Sequence, residues 1–544
     1  MSVQFDLPAI DPGSIPAFAT VKECAEWLES MPLTNAATAQ GQLRTQVVLL
    51  ARAEIKPAAL YETLEQLREP VVFVQNEMAK KFAYRPLPLA DFESTAWNGT
   101  LDLWRVFGTC YQRCVQSLLL EERDLRSSGA TVCQRAIDAQ ARLVLDILRA
   151  NSEVPAAEWR LLHKLYRAAE HTGGTVDKVK DAQLRETTST NCVATYARPI
   201  LLVLGSPHEW TARQTQMIWR WTERWATKIV ISHNPPSQPV KPPVLVNLGS
   251  GSGGYRPELP GATPVEGAAE ELRYLDISDL SRSIRNRVIR LRKGESPASL
   301  GLGEDAAMPA AEQTLKTLYR HWCDGRTGRD QPRRTASGSA LVASGLEAIH
   351  HYICGKPFKQ PGVANELSAK QRQEIATFGR VATRDDEDYS QIHGLALEQW
   401  EVRDESLAGL RLVRGQNTRG QRVAVGQLLA ARPGDARAFI LGTVRWVQML
   451  AVGDLMIGLQ SIPGLPAVMA ARQTGVKAGI EKFQQGLLLP AIAGLQTPET
   501  AILPLTWFKP GRVIDIYTDQ PRQIRLDAIV ERGADFDRCT FAYA

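Results

Sequence analysis

Apolar residues recur at helical spacing through the first 232 residues. The segments "LYETLEQL" at 60–67 and "EWRLLHKLYRAAEH" at 158–171 place apolar side chains every three or four positions. This spacing gathers them on one face of a helix, which can then bury that face against a neighbour. The pattern predicts an all-α N-terminal region over 1–232.

A third predicted helix, "WTARQTQMIWRWTERWATKIV" at 210–230, is unusually rich in tryptophan. It begins with a capping-box pair, Thr211 and Gln214, and continues with a stripe of Met217, Trp221 and Trp225. A tryptophan stripe can serve as a ligand platform, but at helical spacing it more often forms a helix core. We therefore interpret this stripe as core.

From about residue 395 the periodicity changes from helical to alternating, which is typical of strands. Several short strands separated by turn-forming residues indicate a small antiparallel barrel and not a parallel sheet. The predicted elements are a hairpin at 400–413, strands at 421–432, 437–450 and 453–462, a helix at 466–485, and strands at 511–518 and 522–532.

Proline, glycine and serine are concentrated between residues 233 and 265, which marks a boundary or an extended connector. The predicted fold class is therefore α+β and multidomain. Its parts are an α-helical domain at 1–232, a connector at 233–275, a mixed α/β middle segment at 276–365, a small antiparallel β-barrel at 366–465, and a helix plus β extension at 466–544.

The middle segment contains two features with open alternatives. The helix predicted at 276–295 is strongly basic, which suits either a solvated surface or the docking of an acidic partner or a membrane. A strand and short helix at 333–355 carry His350, His351 and Cys354, but no second ligand pair follows at metal-site spacing. We expect structural roles there and no metal.

Composition describes an ordinary soluble protein, with 44% hydrophobic and 23% charged residues and a net charge of only +5. This charge is too small for a general nucleic-acid partner. The N-terminus lacks the basic and apolar stretches of a secretory signal, and no apolar run is long enough to span a membrane. Eight cysteines without C-x-x-C pairs favour reduced thiols, so we expect a cytoplasmic protein.

The predicted hairpin "WEVRDESLAGLRLV" contains more than turn formers. Asp404, Ser406 and Gly409 stand at the spacing D-x-S-x-x-G, and Arg380 and Arg384 form an R-x-x-x-R pair about twenty residues upstream. The arginine spacing alone carries little information because it occurs three times in the chain. The two patterns in this order, on a small β-barrel, are far less expected by chance.

This combination resembles the PilZ family of cyclic di-GMP receptors, which are bacterial second-messenger proteins. The resemblance covers about residues 375–465. It implies that Arg380, Arg384, Asp404, Ser406 and Gly409 bind cyclic di-GMP as a ligand, without any further cofactor.

The chemistry of these residue types suits such a ligand. Guanidinium forks bind phosphate oxygens or the O6 and N7 atoms of guanine, and a carboxylate such as Asp404 can accept from guanine N1–H and N2–H together. Ser406 can donate to a phosphate or a base, and Gly409 permits positive φ or a close approach of backbone. Alternatively, Asp404 and Ser406 only cap their own turn.

The sequence shows no H-E-x-x-H, G-x-S-x-G or Walker lysine motif, and no GGDEF or EAL sequence of the kind that makes or destroys cyclic di-GMP, so no enzyme is predicted. The expected function is a cyclic di-GMP receptor that signals to a protein partner through ligand-induced domain rearrangement. Motility, pilus or exopolysaccharide machinery are the partner classes that the resemblance implies. The alternative is a helical scaffold whose barrel no longer binds ligand and acts only in protein–protein interaction.

Overall fold

In a computed structural model of the chain, helices fill the N-terminal half and strands dominate the C-terminal half. The structure describes residues 3–18, 20–121, 123–237, 239, 241–255, 269–324, 334–361, 390, 393–406, 408–474 and 482–544. Two compact units divide the chain. The helical unit comprises Met1–Arg85 and Leu89–Asp330, and the barrel unit comprises Pro86–Pro88 and Gln331–Ala544.

The helices predicted from apolar spacing are present in the helical unit. Its α-helices are α1 (Val21–Glu29), α2 (Ala36–Leu50), α3 (Pro57–Phe82), α4 (Asp91–Leu119), α5 (Gly129–Arg149), α6 (Ala156–Thr172), α7 (Cys192–Leu204), α8 (Ala212–Trp225), α9 (Ser278–Arg292) and α10 (Ala310–Tyr319). Helix α5 is the central one, because nearly all of its side chains are buried among α4, α6 and α7. Met217, Trp221 and Trp225 are buried, which confirms the interpretation of the tryptophan stripe as core.

Short strands accompany these helices. Strands β1 (Val179–Lys180) and β2 (Ser189–Thr190) form one antiparallel pair. A second sheet, in the order β3-β5-β4, contains β3 (Val230–Ser232), β4 (Val244–Asn247) and β5 (Leu272–Asp276). The predicted connector at 233–275 thus contributes two strands, which bury one face against the helical core.

A buried ion-pair network stabilises the centre of the helical unit. Arg68 donates to Asp181 at 2.6 Å and to Asp138 at 2.8 Å, and Arg142 also donates to Asp138 at 2.8 Å. Burial by itself raises the pKa of Asp138, but the guanidinium groups of Arg142 and Arg68 hold that pKa well below its usual range. The network is therefore charged and paired, as burial of such groups requires.

His163 is a buried neutral histidine on α6. Its Nδ1 lies 2.7 Å from the hydroxyl of Tyr196, and its Nε2 lies 2.7 Å from the carbonyl oxygen of Ser252. The carbonyl can only accept, so Nε2 carries the proton and Nδ1 accepts from the tyrosine. Burial lowers the pKa of His163 to about 4.

The barrel unit begins with a closed antiparallel barrel whose strand order is β10-β11-β8-β7-β6-β9. Its strands are β6 (Arg334–Ser344), β7 (Leu397–Ser406), β8 (Gly409–Arg414), β9 (Leu428–Pro433), β10 (Ile440–Met449) and β11 (Leu455–Ser461), and helix α11 (Leu346–Cys354) follows β6. Strand β6 lies in the predicted middle segment, yet it joins this barrel by pairing with both β7 and β9. The predicted antiparallel barrel is confirmed.

A second closed barrel forms the C-terminal part of the unit, in the strand order β12-β13-β14-β17-β16-β15. It contains β12 (Ala467–Gln473), β13 (Gln484–Leu489), β14 (Thr500–Pro504), β15 (Val513–Tyr517), β16 (Pro521–Arg532) and β17 (Phe536–Tyr543). The helix predicted at 466–485 is wrong, because residues 467–473 belong to β12 and residues 484 and 485 belong to β13. These strands pair with each other, and β12 also pairs with β15. Strand pairing has overridden local helix propensity there.

One buried cluster contains side chains of both barrels. This apolar cluster joins Leu441 and Ala343 of the first barrel to Leu487 and Phe536 of the second, together with Ile349 of α11. The two barrels therefore share part of their core.

Across the described residues, no helix combines the length and apolar character needed to cross a membrane. No group of three or more histidine, cysteine, aspartate or glutamate side chains suited to a metal ion occurs in that part of the chain. All eight cysteines are free thiols.

Candidate ligand-binding site

The D-x-S-x-x-G pattern lies on the hairpin formed by β7 and β8, as predicted. Trp400 and Val402 of β7 and Leu410 and Leu412 of β8 are buried. Ser406 pairs with Gly409 across a two-residue turn. The alternation of apolar residues therefore identified the inner face of the hairpin correctly.

A β-bulge at Arg403 changes the direction of Asp404. By strict alternation Asp404 would share the inner face with Trp400 and Val402. The register instead shifts between Val402 and Asp404, and Asp404 then stands opposite Arg411. The extra residue of a bulge re-aims the side chains that follow it, so the carboxylate of Asp404 lies on the outer face.

Four residues on four neighbouring strands form a row across this outer face. Asp404 of β7 pairs with Arg411 of β8, Arg411 pairs with Gly458 of β11, and Gly458 pairs with Trp446 of β10. We call these four residues the Asp404 row. Directly opposed residues on neighbouring strands have side chains close enough to interact, so the row acts as one surface.

The members of the Asp404 row contact each other. Arg411 Nε lies 3.1 Å from Asp404 Oδ2, with 29% and 15% of the two side chains exposed. The Arg411 guanidinium is 5.9 Å from the centroid of the Trp446 ring. A Cβ atom at Gly458 would stand 2.1 Å from Trp446 Nε1, so the indole can cross the strand only because residue 458 is glycine. The result is a carboxylate, a guanidinium and an aromatic ring side by side.

The remaining motif residues have structural contacts. A Cβ atom at Gly409 would stand 2.1 Å from the carbonyl oxygen of Leu459, so this glycine allows β8 and β11 to approach closely. Ser406 Oγ donates to the Gly409 carbonyl at 3.4 Å, which is a long hydrogen bond across the turn. Arg380 and Arg384 lie outside the described residues.

Comparison with known proteins adds independent information about both ends of the chain. Residues 22–237 match the family model described as the N-terminal domain of the cyclic-di-GMP receptor FimW. Residues 469–544 match the FimW C-terminal β-barrel domain. The two ends of the chain are thus similar to the two terminal domains of the FimW family.

A curated relative is similar to this chain over most of its length. The cyclic-di-GMP receptor FimW of Pseudomonas aeruginosa is 22% identical over 543 residues, a match that covers 92% of this chain and 86% of the relative. The FimW C-terminal match coincides with the second barrel, β12 to β17. Neither FimW domain model covers the first barrel, which carries the D-x-S-x-x-G hairpin.

The sequence prediction missed Arg411, Trp446 and Gly458. Arg411 could have been found, because a two-residue turn between Ser406 and Gly409 sets residue 411 opposite residue 404. Trp446 and Gly458 could not, since the pairing of β10 with β11 shifts register between Val444 and Trp446. The structure therefore enlarges the candidate site from the motif itself to the Asp404 row.

Proposed function

We propose that this chain is a cyclic di-GMP receptor and that its first barrel binds the dinucleotide at the Asp404 row. The observation that carries the proposal is the row itself, which sets a carboxylate beside a guanidinium and an indole on an outer barrel face. The FimW domains at both ends and the name of the P. aeruginosa relative support it. The PilZ-like motif on the same hairpin supports this location.

Each member of the row has a role that its chemistry suits. Asp404 accepts from guanine N1–H and N2–H, which adenine cannot offer together. Arg411 holds the carboxylate in place and presents its guanidinium to a phosphate. Trp446 offers a ring on which a base can stack. Arg380 and Arg384 supply further guanidinium forks for the two phosphates, as the motif implies.

Calorimetric titration of the full-length protein with cyclic di-GMP tests this assignment. We expect Asp404→Ala and Arg384→Ala each to weaken binding by about one to two decades, because each loses about 1–3 kcal/mol of bidentate recognition. Glu401→Ala is the matched control, since it removes an exposed carboxylate from the same strand, outside the row. Cyclic di-AMP should bind negligibly to the wild type.

Two results would contradict the assignment. Equal affinity for cyclic di-GMP and cyclic di-AMP would remove the role of Asp404 in base selection. Equal losses of cyclic di-GMP affinity in Asp404→Ala and Glu401→Ala would mean that Asp404 acts only through its charge and makes no specific contact with the ligand.

One observation favours a second candidate function, a scaffold whose barrel no longer binds ligand. Asp404 and Arg411 already neutralise each other, as a purely structural pair would. In that case the wild type would show no heat of binding, and Asp404→Ala would change only stability. The same titration therefore separates the two functions.

We further propose that binding is communicated to a protein partner through domain rearrangement, in a cytoplasmic receptor without catalytic activity. A ligand can shift a conformational equilibrium only if it binds one state more tightly, and gathering the Arg380–Arg384 segment onto the barrel provides that difference. Hydrogen exchange should show protection of β7 and β8 with ligand, and a change in at least one segment before residue 350. Protection confined to the barrel would refute the communication while leaving binding intact.

A further inference from the structure

A concentration of positive charge lies within the helical unit, far along the chain from the hairpin. The C-terminal end of α8, one face of α9 and the loop at 296–301 line a cleft of about 800 Å³. Its basic residues are Arg224, Lys228, Arg282, Arg287 and Arg290. We call this feature the basic cleft.

Three of these cations have acidic partners. Arg224 Nη2 lies 3.2 Å from Glu186, while Arg290 pairs with Glu295 at 2.5 Å and Arg282 pairs with Asp279. Within the described part of the chain, no carboxylate lies within ion-pair distance of Lys228 or Arg287. The cleft therefore retains positive charge that the protein itself does not neutralise.

Arg287 is held in place by uncharged groups. Its Nε donates to the carbonyl of Leu300 at 3.1 Å, and its Nη1 donates to the hydroxyl of Ser283 at 2.5 Å. Burial, and then the neighbouring guanidinium groups of Arg224 and Arg290, lower the pKa of Arg287. A fixed cation among like charges is costly unless an anion joins it.

The opposite wall is also fixed by close packing. Gly301 has φ +67°, and a Cβ atom there would stand 1.8 Å from Arg224 Nη1. Arg224 in turn donates to the Gly301 carbonyl at 3.2 Å. The loop therefore holds the guanidinium of Arg224 at the cleft without requiring a ligand to order it, which lowers the entropy cost of binding.

We propose that the basic cleft binds a small-molecule anion that carries two linked phosphate groups. Guanidinium and ammonium groups are the side chains that bind phosphate most strongly. The volume of about 800 Å³ is in the range of small-ligand pockets. The site is separate from the Asp404 row and does not depend on the function proposed for it.

Titration calorimetry of the full-length protein with inorganic pyrophosphate, at about 50 mM salt to limit screening, tests the proposal. We expect saturable binding that Arg287→Gln weakens about tenfold or more, because it loses a charge-assisted contact. Lys228→Gln should weaken binding about threefold or more, and it removes no internal hydrogen bond of the described residues, so its fold should be retained.

Arg285→Gln is the matched control, because Arg285 is an exposed arginine of the same helix that does not line the basic cleft. Arg285→Gln should change the affinity for pyrophosphate by no more than about twofold, because a remote charge is largely screened by salt. Equal losses in Arg285→Gln and Arg287→Gln would overturn the proposal in favour of general attraction by a basic helix.

Lipid headgroups carry the same phosphate chemistry, so a second arm separates the sources. Co-sedimentation uses vesicles of phosphatidylcholine and phosphatidylglycerol at about four to one. We expect the wild type and Arg287→Gln to show the same co-sedimentation with these vesicles. Vesicle binding that Arg287→Gln abolishes, without saturable pyrophosphate binding, would overturn the assignment to a free ligand. Absence of pyrophosphate binding by the wild type would overturn it as well.

Discussion

Gly409 is the motif residue whose role the structure defines most sharply, and Gly409→Ala tests that role. The new Cβ atom would stand 2.1 Å from the Leu459 carbonyl oxygen and 3.1 Å from Gln460 Cα, both in the backbone of β11. Ordinary contacts begin near 3.4 Å, so β8 and β11 would have to separate by about an ångström. Neither contact is with a side chain that could rotate away.

The expected cost follows from two contributions. Overpacking costs about 1–3 kcal/mol, and weakening one ladder hydrogen bond adds about 1 kcal/mol, so the barrel unit should lose about 2–4 kcal/mol. For a unit of this size, each kcal/mol lowers the melting temperature by about 2–4 °C, which gives a fall of about 4–16 °C.

Thermal unfolding followed by circular dichroism measures the fall, and hydrogen exchange across β8 and β11 localises it. Gly338→Ala is the matched control, because Gly338 lies in the same barrel on β6 and a Cβ atom there would meet nothing within 4 Å. Its stability should be unchanged or slightly increased. Equal melting temperatures for the two variants would refute the reasoning. If Gly409→Ala then still lost cyclic di-GMP binding, the glycine would serve the ligand and not strand packing.

Three further outcomes follow from the described contacts. His163 is neutral in the folded protein, where its pKa is lowered to about 4, whereas the unfolded chain binds a proton near pH 6.5. The free energy of unfolding should therefore fall by about 3 kcal/mol as the pH drops from above 6.5 towards 4. His163→Gln should flatten the pH dependence of the free energy of unfolding measured in urea. An unchanged pH dependence would contradict the role of His163. Arg68→Met should cost about 3–5 kcal/mol in denaturant unfolding followed by helical circular dichroism, because the buried carboxylates of Asp138 and Asp181 each lose one of their two arginine partners. A loss under about 1 kcal/mol would show that the remaining arginines and water replace Arg68. A fragment spanning 366–465 lacks β6 and should give the circular dichroism spectrum of a disordered chain. A fragment spanning 331–544 should give a β spectrum and unfold cooperatively on heating. A folded 366–465 fragment would show that β6 is dispensable.

Local patterns were reliable where one face of an element is buried by its immediate neighbours. The stripe through Met217, Trp221 and Trp225 identified a core helix, and the capping-box pair Thr211 and Gln214 marked its start, which the structure confirms. The segment 466–485 misled because pairing with other strands decides its structure. Its alanine, lysine and glutamine residues favour a helix in isolation, but β12 and β13 pair with each other, and β12 also pairs with the distant strand β15.

The sequence by itself determined the helical character of the N-terminal region and which face of the β7–β8 hairpin is buried, because both depend on a period of two or 3.6 residues. Only the tertiary structure decided where Asp404 points. The bulge at Arg403 turns it outward, and strand pairing then brings Arg411, Gly458 and Trp446 beside it. Strand β6, more than fifty residues upstream, closes the barrel. Such partners depend on register between distant strands, and register is settled by packing of the whole barrel and not by neighbours in the chain.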